Sequence, residues 1–128
     1  MKIELVSNPL FHPEWRRIAD LLKPAAALGD IPVIEAHHVV WLVTDGGMLA
    51  AATARLTNDD FGEIVLCGGT DARRWAVALA DEISVWMAAE GMKAVRIYGR
   101  KGWGRLLGWP VIGKSRGMTI FERPLGDG

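Results

Sequence analysis

The 128-residue sequence holds a single cysteine, Cys67, so no intrachain disulfide can form and the composition fits a reducing compartment. Tyrosine is just as scarce, with Tyr98 alone against six tryptophans. Net charge is absent: fifteen Lys and Arg balance fifteen Asp and Glu, so no global field draws the protein to nucleic acid or to an anionic membrane, and neither is expected as a partner. Any anion site must be local. No apolar run approaches a membrane span, and MKIELVSNPL carries Glu4 and Asn8 where a signal peptide needs an unbroken apolar stretch. These features lead to the expectation of a cytoplasmic protein. Histidine is too sparse for a metal centre, because His12 stands far from His37 and His38, and adjacent residues on a strand or turn point apart. Cys67 ends an apolar strand, where a thiol is usually small hydrophobic filler, and no Gly-x-Ser-x-Gly is present to mark a serine nucleophile.

What the sequence does have is a half-apolar composition, enough for one domain to bury a core unaided. KIELV (2–6) alternates as a short strand, and Pro9 and Pro13 then break the pattern before a helix. In EWRRIADLLK, Trp15, Ile18, Leu21 and Leu22 recur at helical spacing against a charged face. Residues 30–38 read as a short helix, although Val33 and Ile34 are strand formers. VVWLVT, Asp45-Gly46-Gly47 and MLAAATARLT make a hairpin, since Asp-Gly favours a turn that matches strand twist. After Asn58-Asp59-Asp60, EIVLC reads as a central strand covered on both faces. Gly68-Gly69 ends it, and Thr70 or Asp71 can cap the next helix, whose stripe is Trp75, Leu79, Ile83 and Trp86 up to Gly91. KAVRIYG is a further strand, GWGRLLG a turn or a single helical turn, and VIGKSRGMTIFER a final hairpin around Lys114 to Gly117. Pro124 to Gly128 looks loose, which sets one domain at 1–125 and a flexible tail at 126–128.

This order resembles the GNAT family of acyl-CoA-dependent N-acyltransferases, in whose strongly twisted mixed sheet the fourth and fifth strands splay to admit the pantetheine arm of the cofactor. The resemblance covers nearly the whole chain and implies an α/β (α+β) fold, mostly antiparallel, with helices on both faces. The stretches EIVLCGGTDARRW, AAEGMKAVRIYGRKGW and LLGW are also similar to small GNAT-like proteins encoded among the virion genes of tailed bacteriophages and prophages. The family likeness implies acetyl-CoA as cofactor and an amine-bearing substrate. The phage likeness implies instead a non-catalytic assembly module, virion-associated, that binds a phage structural protein.

In the family, the fourth strand runs into an Arg/Gln-x-x-Gly-x-Gly/Ala loop that binds the cofactor's pyrophosphate through backbone N–H groups. The corresponding residues are Val65, Leu66, Cys67, Gly68, Gly69, Thr70, Arg73 and Arg74. They supply a Gly-Gly pair without the family's spacing, and Asp71 adds a carboxylate that at about 4 Å opposes a phosphate by roughly 1–4 kcal/mol. Read without the family, the two glycines allow a turn, Asp71 caps a helix and the arginines are solvated. Glu63 stands where the family's general base can lie, or is a strand-end carboxylate in water. Tyr98, the one candidate acid, sits on the fifth strand rather than beyond it, where the chain offers Trp103 and Trp109; an indole N–H cannot deliver a proton to a leaving thiolate.

The segment from Tyr98 to Trp109 packs three cations, four glycines and three aromatics into twelve residues. Trp109 reads as core filling. Trp103 has two open readings: it fills the space that the cofactor takes in an active relative, or it joins Arg100, Lys101 and Arg105 in an exposed patch for a protein partner or a surface on which a nucleotide could stack.

Overall fold

A computed structural model describes residues 1–6, 13–22 and 39–126, with Leu66 described through its main chain only. The expected helix over 30–38 and all three histidines lie outside the described residues.

The elements follow the sequence pattern closely. Strand β1 (Lys2–Val6) and helix α1 (Trp15–Leu22) precede β2 (Val39–Thr44), β3 (Met48–Leu56) and β4 (Phe61–Gly69). Helix α2 (Ala72–Ala89), β5 (Ala94–Gly99), a short α3 (Gly102–Leu107) and the hairpin of β6 (Val111–Ser115) and β7 (Met118–Pro124) complete the chain. Among the described residues, seven strands form one sheet in the order β1-β2-β3-β4-β5-β7-β6. Only β4 and β5 run parallel, so the sheet is mixed and mostly antiparallel, with EIVLC at its centre as its apolar run predicts.

Each face carries a helix. On one, Ile18 and Leu22 of α1 pack with Val6, Val40, Leu42 and Ala51. The other holds the larger core, in which Trp75, Ala76, Leu79, Ala80, Ile83 and Met87 of α2 lie on Trp41, Val43, Ala52, Ala54, Ile64, Val95, Ile97 and Phe121. Three of the four expected stripe residues are fully buried; Trp86 is half-buried and meets Trp41 edge to face, ring centroids 6.1 Å apart. Met87 takes the buried position next to it.

Turn chemistry accounts for the connections. The β2–β3 loop is three residues long, with Gly46 at φ 71 and the Asp45 N–H donating to the Gly47 carbonyl, rather than a two-residue Asp-Gly turn. The β6–β7 turn places Arg116 at φ 51 and Gly117 at φ 78, the two left-handed positions that a tight hairpin requires. Pro124 and Leu125, expected in a loose stretch, are held by the sheet: Pro124 pairs with Ala94, and the Leu125 N–H donates to the Lys93 carbonyl at 2.8 Å.

Candidate functional site

The parallel pairing of β4 and β5 lasts four residues, from Phe61↔Ala94 to Ile64↔Ile97. Beyond it β4 continues through Val65 to Gly69 paired with β3 alone, and β5 continues through Tyr98 and Gly99 paired with β7 alone. The central sheet therefore opens into a V. The candidate cofactor residues line one arm of it and Tyr98 the other.

On the α2 face of the V, Ile64, Cys67, Trp75, Leu79, Ile97, Trp103 and Leu107 enclose a cavity of about 20 Å³. That is room for roughly one water, and the lining is apolar. Trp103 is the principal filler: its ring lies 6.3 Å from that of Trp75, and it lies so close to Gly99 that a Cβ there would stand 2.8 Å from the indole Cδ1. Of the four residues expected in an exposed patch, Arg100, Lys101 and Arg105 are exposed, whereas Trp103 turns into this cavity. Trp109 is buried, as expected, on the other side of α3. There a wider hollow of about 400 Å³ is walled by Val77, Ala80, Leu107 and Trp109, with Arg123 paired to Asp81 at 2.7 Å on its rim.

The loop after β4 is held tightly by its own structure. Gly68 lies against the Leu21 carbonyl of α1, leaving no space for a side chain. The Thr70 N–H donates to Leu49, and the Thr70 carbonyl accepts the Trp75 indole N–H at 2.7 Å. Asp71 stands at the N-cap of α2, but in the left-handed region at φ 57 and without a side-chain capping bond. Its carboxylate lies 3.9 Å from Arg74, which also pairs with Asp45 in the β2–β3 loop. Arg73 is exposed and makes no ion pair among the described residues.

The opposite face of the V is polar. Glu63 is buried and is not a solvated strand end: its Oε2 accepts from Arg55 Nε at 2.6 Å. Register places Arg55 of β3, Glu63 of β4, Arg96 of β5 and Glu122 of β7 side by side, an alternating charge ladder across four strands. Arg96 donates to Glu122 at 2.9 Å and lies over the Phe61 ring at 3.9 Å. The Glu122 carboxylate, and after it the Tyr98 hydroxyl, hold the Arg96 guanidinium charged beyond its ordinary range. Tyr98, two residues along the strand from Arg96, shares this face with Glu63. The structure thus brings the two candidate catalytic residues to one face, with Arg96 between them. Sequence reasoning missed Arg55, Arg96 and Glu122; the period-two spacing of Arg96 and Tyr98 was the available signal.

On the α2 face of the V the side chains leave little open space for the pantetheine arm of the cofactor that the family likeness implies. Small-molecule sites run from about 300 Å³ upward, an order of magnitude above the space between Trp75 and Trp103. The loop amide of Thr70 is already bonded, and Asp71 adds a negative charge beside the N-terminus of α2, turned toward Arg74.

No protein-family model matches the chain, and no curated protein matches it in sequence. Solved structures do match in shape. An aminoglycoside 6'-N-acetyltransferase from Enterococcus faecium superposes with a TM-score of 0.77 at 10% identity, over 100% of this chain and 99% of that one. An IAA acetyltransferase from Bacillus cereus gives 0.71 at 12% identity, over 97% and 99%. The N-acetylglutamate synthase of Neisseria gonorrhoeae, complexed with coenzyme A and N-acetyl-glutamate, gives 0.70 at 15% identity, over 98% of this chain but 36% of that one. The chain has the fold of the GNAT N-acetyltransferases. No helix among the described residues is long and apolar enough to cross a membrane.

Proposed function

We infer that the chain is a single GNAT-fold domain over 1–125, N-acetyltransferase-like in architecture, whose acetyl-CoA cleft is degenerate, so that it acts by binding rather than by acyl transfer. The observation that carries this reading is the Trp103 indole seated in the β4–β5 splay against Gly99 and Trp75. The loop from Cys67 to Arg74 supports it, since Asp71 and the bonded Thr70 amide weaken the pyrophosphate cradle that Val65 to Gly69 and Arg73 would otherwise form.

The opposing reading, an active transferase on an amine-bearing substrate, has one observation in its favour: β4 beyond Ile64 lacks a strand partner on its β5 side, as a pantetheine arm requires. Glu63 would then be the base and Tyr98 the acid. The likeness to phage and prophage virion proteins rests on local sequence pattern alone, and the binding reading stands without it; so does a cytoplasmic location.

Release of free thiol from acetyl-CoA over a panel of primary amines separates the two readings. The expected result is no release above buffer. Turnover that falls when Glu63→Gln is introduced would establish the transferase.

A further inference from the structure

We propose that the end of the sheet formed by the β5–α3 junction and the β6–β7 hairpin is a docking surface for an extended acidic segment of a partner protein, which lies along β6. The chain as a whole is electrically balanced, yet residues 91–121 contain seven Lys and Arg and no Asp or Glu. Two of the seven are satisfied internally: Lys93 lies 3.9 Å from Asp60, and Arg96 pairs with Glu122. The other five, Arg100, Lys101, Arg105, Lys114 and Arg116, are all exposed and make no ion pair among the described residues.

Topology brings four of these five cations to one end of the sheet. Gly99 lies opposite Thr119, which lies opposite Lys114, and Ser115 lies opposite Met118. The Arg116–Gly117 turn therefore stands at the same end of the sheet as Arg100 and Lys101, with Arg105 one turn further along α3. Like charges at one end of the sheet repel one another and lower the stability of the compact state, so the fold itself gives no reason for the grouping.

Beside the charges, β6 is the last strand of the sheet, and its outer N–H and C=O groups have no strand partner among the described residues. Val111, Ile112 and Met118 are 58%, 46% and 40% exposed, and a bulge between Val111 and Gly113 leaves Ile112 without a cross-strand partner. An added strand with alternating acidic and apolar residues would satisfy this edge, cover its apolar side chains and meet Lys114 and Arg116 with carboxylates. A nucleic acid fits less well, because no exposed large aromatic is found among the described residues for a base to stack on, and Trp103 faces inward. This inference is independent of whether the splay binds a cofactor.

The test measures fluorescence anisotropy of a labelled peptide of about ten residues, alternating Glu and Val, with the full chain, against a Lys-Val peptide and a labelled oligothymidine of similar length. The Glu-Val peptide alone is expected to bind, with affinity falling about tenfold or more as salt rises from about 50 to about 300 mM. Lys114→Glu with Arg116→Glu should abolish binding at unchanged melting temperature, and amide shifts on titration should concentrate in β6. Tighter binding of the oligonucleotide, binding that survives the charge reversal, shifts away from β6, or no binding of the Glu-Val peptide would each overturn the proposal.

Discussion

The Cys67 thiol shares its cavity with Trp75 and Trp103, and burial pushes its ionisation up from 9.0 to about 12. At neutral pH it is a protonated filler and not a nucleophile. The folded state holds this proton more tightly than the unfolded state, so the associated stability is fully present below about pH 9 and is lost as pH climbs toward 12. Urea denaturation at about pH 8 and about pH 10.5 should show wild type losing about 1–2 kcal/mol more than Cys67→Ala over that interval. Equal losses would mean that the thiol is not enclosed. Glu63 shows where single-residue reading from sequence fails. Its partner Arg55 is eight positions away through a turn, and only strand register brings their side chains together.

Helix α2 was the most legible element, because helical spacing fixes which residues share a face before any tertiary contact is known. Spacing does not fix how far round the helix the sheet reaches. Trp86 lies at the margin, edge-on to Trp41, while Met87 occupies the buried line. Trp75→Ala should therefore cost about 3–5 kcal/mol and Trp86→Ala about 1–3 kcal/mol, measured by chemical denaturation. A larger loss at Trp86 than at Trp75 would contradict the packing described. The helix starts where the sequence places it, but Asp71 does not cap it. Asp71 precedes α2 in a left-handed conformation that aims its carboxylate toward Arg74 rather than at the first-turn amides. Cap preferences are statistical, and the local backbone decides whether the side chain can reach.

For the whole molecule, alternation, turn residues and helical stripes were sufficient to give the order of elements and the mixed sheet. The charge ladder and the filling of the splay were not legible, since both depend on which residues of separate strands lie opposite one another. Trp103 stayed open between partner and core for the same reason: its glycine-rich surroundings permit close approach, and only the position of α3 over Gly99 decides what approaches. The proposed binding role rests on this indole filling the space a thioester cofactor would need. The direct measurement is the melting temperature of wild type and of Trp103→Ala, with and without about 1 mM acetyl-CoA, a ligand that would stabilise by about 2.7 kcal/mol at a hundredfold excess over its Kd. No shift is expected for wild type, and an upward shift for Trp103→Ala. A wild-type protein that melts several degrees higher with acetyl-CoA would contradict this reading.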